Sequence, residues 1–296
     1  MQENSLDIDA VVKTMESIPT LPVISQKVME IRDDDPNSHR KYVDIIEKDQ
    51  ALSIKLLKLA NSAFYGSIAT ISSIENAVVR LGMKEIRSAV LAFSVLDFFS
   101  NEGNGNYDRK QFWTHAVVCS QVAKFLGNHY RIRDDETLFM TGLIHDVGKV
   151  IIDEFFHEEF LKILHILETH ETTFSRAEKA VLGTTHYQIA AKLLKQWTFP
   201  PKVIMQVLYH HAPWYDNNSE RASLLIYMAD IFTRLAGYYC HPSEKQVDPE
   251  ALADSPEAEY MTENGFDMDL KTIQSMTSRI QDYLQDETEN VLTIFH

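Results

Sequence analysis

Residues Leu143–Val150 read "LIHDVGKV". A histidine, an aspartate and a lysine interrupt an otherwise apolar run, and what they do there decides the fold. Burying one polar group without a partner costs roughly 1–3 kcal/mol, and an isolated carboxylate costs more. Either the three are paired for packing, or they belong to a site that draws in other polar groups.

Several other helical segments place polar groups in the same way. His115 lies within "FWTHAVVCSQVAKFL", His186 opens "HYQIAAKLLKQW", His210 and His211 end "VIMQVLYHH", and Asp230 sits in "LLIYMADIFTRLAG". The remaining histidines of the twelve, His39, His129, His157, His165, His170, His241 and His296, have ordinary solvated-helix neighbours. A shared divalent cation would satisfy the first set, because imidazole and carboxylate both donate to it. Such a ligand mixture suits Fe, Mn, Zn, Ni or Co better than Ca, which prefers oxygen throughout. Histidine–aspartate pairs that pack helices without a metal are the alternative, and spacing alone leaves both open.

The surrounding chain predicts an all-α protein. Val-Thr-Tyr-rich alternation is scarce, while apolar residues recur at helical spacing, as in Leu52, Leu56, Leu59, Ala60 and Ala63. Asp49 is placed to cap that helix. Ser72 and Glu75 have the spacing of a capping box, and Gly82 is a helix stop. The first hundred residues read as short helices, with Met83–Phe99 as a long apolar one. "SNEGNGNY", residues 100–107, reads as a linker. Longer helices follow: one over Phe112–Asn128, one opening at Asp134-Asp135-Glu136, and several between Phe160 and Gly237. Ile273, Met276, Ile280, Tyr283 and Leu284 form one stripe of a closing helix. This predicts an amino-terminal helical bundle over 1–103, a second helical unit over 104–241 and an acidic extension over 242–296.

The formal charge is −15, and from Pro242 onwards 13 acidic side chains face 3 basic ones. Such a chain has no general affinity for a phosphate backbone, so bulk nucleic-acid binding is not expected. The two cysteines, Cys119 and Cys240, lack metal or redox spacing. With no secretion signal read at the start and no apolar window long enough for a membrane span, a cytoplasmic location is expected.

Taken in order, His115, His145-Asp146 and Asp230 resemble the H…HD…D pattern of the HD superfamily of metal-dependent phosphohydrolases. The resemblance implies one metal held by these four groups, with Asp146 bridging to a second. Lys149 matches the lysine that the cyclic-dinucleotide phosphodiesterase branch places after its doublet, implying a phosphate contact or a proton donor to the leaving oxygen. His186, His210 and His211 fall where that branch supplies further ligands. "SIPTLPVISQKVMEI", "IIEKDQALSIKLLKLANSAFYG" and "ISSIENAVVRLGMKEIRSAVL" are similar to the HDOD family of bacterial signalling proteins over Ile18–Pro213. "LANSAFYG" followed by "SSIENAVVRLG" is the most specific part.

The resemblance thus implies a bacterial HDOD-type signal-transduction protein with one or two divalent ions (Fe, Mn, Zn or Ni) at His115, His145, Asp146, His186, His210, His211 and Asp230. Its partner would be a signalling protein or a nucleotide ligand. A regulatory or interaction module is one outcome, since many HDOD proteins act that way. A working phosphohydrolase or phosphodiesterase, with Asp146 and Lys149 in its chemistry, is the other. Members that cleave cyclic di-GMP carry Gly-Tyr-Pro after the histidine pair, whereas residues 212–217 here read Ala-Pro-Trp-Tyr-Asp-Asn. Three-metal members place a glutamate four residues before the first histidine, where this chain has Gln111. Asn61, Ser62 and Tyr65 either terminate a helix or face a ligand.

Overall fold

A computed structural model describes Ile18, residues 20–32, 34–62, Tyr65, and residues 70–99, 108–132, 137–217 and 220–292; the side chains of Glu220 and of residues 286–292 fall outside it. Among the described residues every regular element is helical, as expected for an all-α chain. The linker over 100–107, the helix opening at 134–136, Ala63 and Gly66 lie outside the described residues.

The first half folds as α1 (Val23–Met29), α2 (Ser38–Ile46), α3 (Gln50–Ala60), α4 (Ile74–Leu81) and α5 (Met83–Phe98). Asp49 caps α3 by accepting from the Leu52 N–H at 3.0 Å. At α4 the cap is Ser73, whose hydroxyl accepts from Asn76 N–H at 3.2 Å, and not Ser72 as the capping-box spacing suggested. Gly82 ends α4 at φ +85°, a conformation that side-chain-bearing residues avoid. The next helix then starts in a new direction. Helix α5 buries most of its length, which explains its continuous apolar composition.

The second half contains α6 (Arg109–His129), α7 (Leu138–Ile144), α8 (Val147–Phe155), α9 (His157–Thr169), α10 (Phe174–Leu182), α11 (His186–Gln196), α12 (Pro201–Tyr209) and α13 (Glu220–Leu235). A 3₁₀ turn at Pro213–Tyr215 joins the last two. Helices α14 (Pro249–Ala253), α15 (Pro256–Glu263) and α16 (Leu270–Leu292) close the chain. The stripe read on α16 is inside: Ile273, Met276, Ile280 and Leu284 pack with α6 and α13.

A continuous apolar cluster runs from Ile18 through α5 into α7, α8, α11 and α12. A second one joins α6, α13 and α16. Helix α6 contributes to both. It also packs so closely on α7 that a Cβ on Gly142 would meet Ser120 Cα at 2.7 Å. No described helix is long and apolar enough to cross a membrane.

Candidate metal centre

The opening stretch is a corner. Helix α7 ends at Ile144, His145 and Asp146 make the turn, and α8 begins at Val147. Apolar residues on both sides anchor the two helices in the core, so the turn between them is carried inside. Gly148 allows this: a Cβ there would lie 1.9 Å from the carbonyl oxygen of His186, so only glycine lets α8 meet the start of α11.

Four further helices bring their polar groups to this corner. Helix α6 supplies His115, and α11 supplies His186 at its first position. The end of α12 supplies His210 and His211, and α13 supplies Asp230. Asp146 is the hub. Its Oδ1 lies 3.1 Å from His186 Nε2 and 3.4 Å from His210 Nε2. Its Oδ2 lies 3.5 Å from His145 Nε2 and 3.8 Å from His115 Nε2. Asp230 Oδ1 is 3.5 Å from His115 Nε2. His211 Nε2 is 3.2 Å from His186 Nε2. Donor atoms of Asp146, His186, His210 and His211 lie within 4.8 Å of one another, as do those of His115, His145 and Asp146. All are buried except His211, which is partly so.

The outer faces of the rings show what the inner faces can be. His115 Nδ1 lies 2.8 Å from Tyr238 O, His145 Nδ1 lies 2.8 Å from Gly142 O, and His210 Nδ1 lies 2.7 Å from Val207 O. A carbonyl only accepts, so each Nδ1 carries the proton and each Nε2 of a neutral ring presents a lone pair. His186 repeats the pattern with a carboxylate, its Nδ1 donating to Glu178 Oε2 at 2.7 Å. Four lone pairs thus converge on the Asp146 carboxylate, with His115 and His145 Nε2 3.4 Å apart and His186 and His210 Nε2 3.5 Å apart. Acceptors do not satisfy one another. Asp146 Oδ1 is buried and lacks an aligned hydrogen-bond donor. This donor set fits a divalent transition-metal cation, with second-sphere contacts that fix each ring's tautomer and direction.

Electrostatics keep most of the set in ligand form. Burial pushes the His210 imidazole down to about 4. Burial, reinforced by His210 and His186, holds His211 well below the usual histidine range, and burial also lowers His115. Burial opposes charge on Asp146, but Lys149 and His145 keep its carboxyl well below the carboxylate range. Two rings run the other way: burial opposes their charge, but Cys119 and Asp146 hold His145 well above the usual histidine range, and Glu178 and Asp146 raise His186.

Lys149 lies one turn along α8 with its ammonium buried. It donates to Asp146 Oδ2 at 2.7 Å, to Cys240 Sγ at 3.0 Å and to Glu244 Oε1 at 3.2 Å, and it sits 4.5 Å from the Phe174 ring centroid. Gln111 donates to Tyr239 O at 3.0 Å. Asn61 terminates α3 and pins Ile71 through both ends of its amide. Tyr65 donates to Glu85 Oε1 at 2.5 Å.

Glu178, Arg234 and Glu244 were not read from the sequence, and Cys240 was read only as lacking metal or redox spacing. Glu178 also accepts the His186 backbone N–H at 2.9 Å. Arg234 donates to Asp230 Oδ2 at 2.9 Å, leaving Oδ1 towards His115. The spacing of Asp230 and Arg234, one helical turn apart, was a usable signal for that pair.

The model of the HDOD domain matches residues 18–213, two thirds of the chain. The chain belongs to the HDOD family. An HDOD domain protein of unknown function from Geobacter sulfurreducens is 25% identical, with a TM-score of 0.75 over 94% of this chain and 98% of that one. A Shewanella amazonensis SB2B structure named "Putative phosphohydrolase" is 19% identical, with a TM-score of 0.74 over 97% and 98%; at that identity the likeness concerns the fold. An uncharacterized protein of Treponema pallidum (strain Nichols) is 28% identical over 204 residues, 66% of this chain. The chain spans only 38% of that relative's length.

Proposed function

We propose that this HDOD chain acts as a regulatory or interaction module of bacterial signal transduction, built around a retained site for one or two divalent ions. His115, His145, Asp146 and Asp230 would hold one ion; His186, His210 and His211, with Asp146 between, would hold another. The observation that carries the metal is the convergence of four Nε2 lone pairs on a buried carboxylate. Fe, Mn, Zn and Ni all suit such ligands.

The regulatory role rests on access. Every candidate ligand except His211 is nearly sealed from solvent, and Lys149, the group placed to meet a phosphate, is already shared by Asp146 and Glu244. A bound divalent ion supplies Lewis acidity, lowering the pKa of water and holding phosphate oxygens. The chain's own residues orient and insulate the site: Glu178 aims His186, Tyr238 O aims His115, Arg234 orients Asp230, and the α7–α8 corner keeps Asp146 ionised beside Lys149.

The alternative is a phosphohydrolase or phosphodiesterase, favoured by the full ligand set. A panel of cyclic and linear nucleotides tested with metal-supplemented protein separates the two. The module reading expects no turnover above that of Asp146→Ala. Turnover that disappears in Asp146→Ala would make the chain an enzyme.

A further inference from the structure

The segment between α13 and α14, residues 237–248, has no regular secondary structure and passes beside the cluster, touching His115 and Lys149. It leaves α13 at Gly237, whose φ of +99° and open surroundings make it a pivot, and it ends where Pro249 starts α14. Only Cys240 along it is fully buried. Several contacts tie it to the body, among them the His241 ring 6.3 Å from that of Phe174. Tyr238 O accepts from His115 Nδ1, Tyr239 O accepts from Gln111 Nε2, Lys149 reaches Cys240 and Glu244, and Lys245 pairs with Glu171 at the surface. Cys240 anchors the segment in the core and Tyr238 packs against the second apolar cluster, but the rest is partly or fully exposed, so it opens at lower free energy than the helices around it.

The decisive contact is Glu244. Its Oε1 takes the Lys149 ammonium at 3.2 Å and the Cys240 thiol at 2.8 Å, and its Oε2 takes the Cys240 N–H at 3.3 Å. The lysine already has a carboxylate partner on its own helix turn, Asp146. Glu244, from 95 residues further along, brings a second carboxylate to one buried ammonium. Lys149, the Phe174 ring and the neighbouring ligands therefore frame a place for an oxyanion, and the chain fills it with its own side chain.

We propose that residues 237–248 are an autoinhibitory strap: Glu244 occupies the position of a phosphate oxyanion at Lys149, and a phosphate-bearing ligand opens the strap by displacing it. The proposal rests on the reading of the cluster as a metal centre that faces phosphate. It makes the strap the element through which ligand binding at the site is reported at the surface, because Tyr238, Tyr239 and Lys245 move when Glu244 leaves.

Hydrogen–deuterium exchange of residues 237–248, with inorganic phosphate as probe and Glu244→Gln beside the wild type, tests this. In Glu244→Gln, exchange in the strap should quicken by about tenfold or more, as expected when a charge-assisted contact is lost, while α6 and α13 stay protected. Phosphate should bind Glu244→Gln about tenfold more tightly by calorimetry, since no internal anion competes. In the wild type, phosphate itself should quicken strap exchange, a readout that needs no variant. Unchanged or slower strap exchange both in the variant and in wild type with phosphate would overturn the proposal. Metal content of the same samples separates the two readings: metal missing from both proteins would count against the metal centre, while exchange decides the strap in either case.

Discussion

Two buried polar clusters in this molecule are built on opposite rules. At the junction of α5 and α6, Glu85 takes the Tyr65 hydroxyl at 2.5 Å and the Lys124 ammonium at 3.0 Å, and Lys124 sits 5.8 Å from the Tyr65 ring centroid. Donors meet acceptors and charges cancel within the cluster. At the α7–α8 corner, four imidazoles turn their protons outward to carbonyls and Glu178 and their lone pairs inward to a carboxylate. The first arrangement is finished without help. The second has the donor set that could hold a cation. Charge in a core is therefore not by itself a pointer to a site; a surplus of acceptors is.

The largest effect expected on this comparison comes from Gly148→Ala. The new methyl would collide with backbone of His186, so α8 and α11 must part. A stability loss of about 3 kcal/mol is expected by thermal or urea unfolding, together with loss of metal. Glu85→Ala should act on the other cluster alone. It leaves Lys124 and Tyr65 without their shared acceptor and should cost roughly 1–3 kcal/mol, with metal content unchanged. Metal loss in Glu85→Ala would show that the two clusters are coupled.

Glu178→Gln keeps the shape but removes the charge behind His186. Metal affinity should fall by roughly 10–100-fold in a chelator competition, with little change in metal-free stability, as for other partners that orient a ligand from behind.

Acid and alkali should distinguish the clusters more gently. In the metal-free protein His115, His210 and His211 have lowered pKa values, so below about 6.5 the unfolded chain binds protons that the folded state refuses. Stability then falls as pH drops from about 6.5 towards 4, by at most about 1.4 kcal/mol per pH unit for each proton. His145 and His186 are raised, their protons taking the cation's place beside Asp146. Their contribution is present below about 6.5 and is lost as pH rises through their folded values. Metal-free stability should therefore peak in the mid-range. Metal should flatten the alkaline side, because it replaces those protons.

Much of this was legible in the sequence. The helices of the core are long or strongly periodic, so their faces could be read, down to the stripe on α16. The His-Asp doublet stood out because polar groups in apolar runs need partners. What stayed hidden was tertiary. Glu178 lies eight residues before His186 across a helix corner, where no periodicity links them. Glu244 lies in an acidic surface-like stretch, and nothing local distinguishes it from its solvated neighbours. The glycine of "HDVGK" could be seen but not explained until α11 was found against it. Helices α14 and α15 are too short, and bury too little, to leave a pattern.

Metal content tests the proposed centre most directly. Protein purified without added metal should carry about one to two equivalents of Fe, Mn, Zn or Ni per chain by elemental mass spectrometry, and Asp146→Ala should lose them. Less than about a tenth of an equivalent, unchanged after reconstitution with each ion, would contradict it and leave the converging imidazoles as a packed core without a cation.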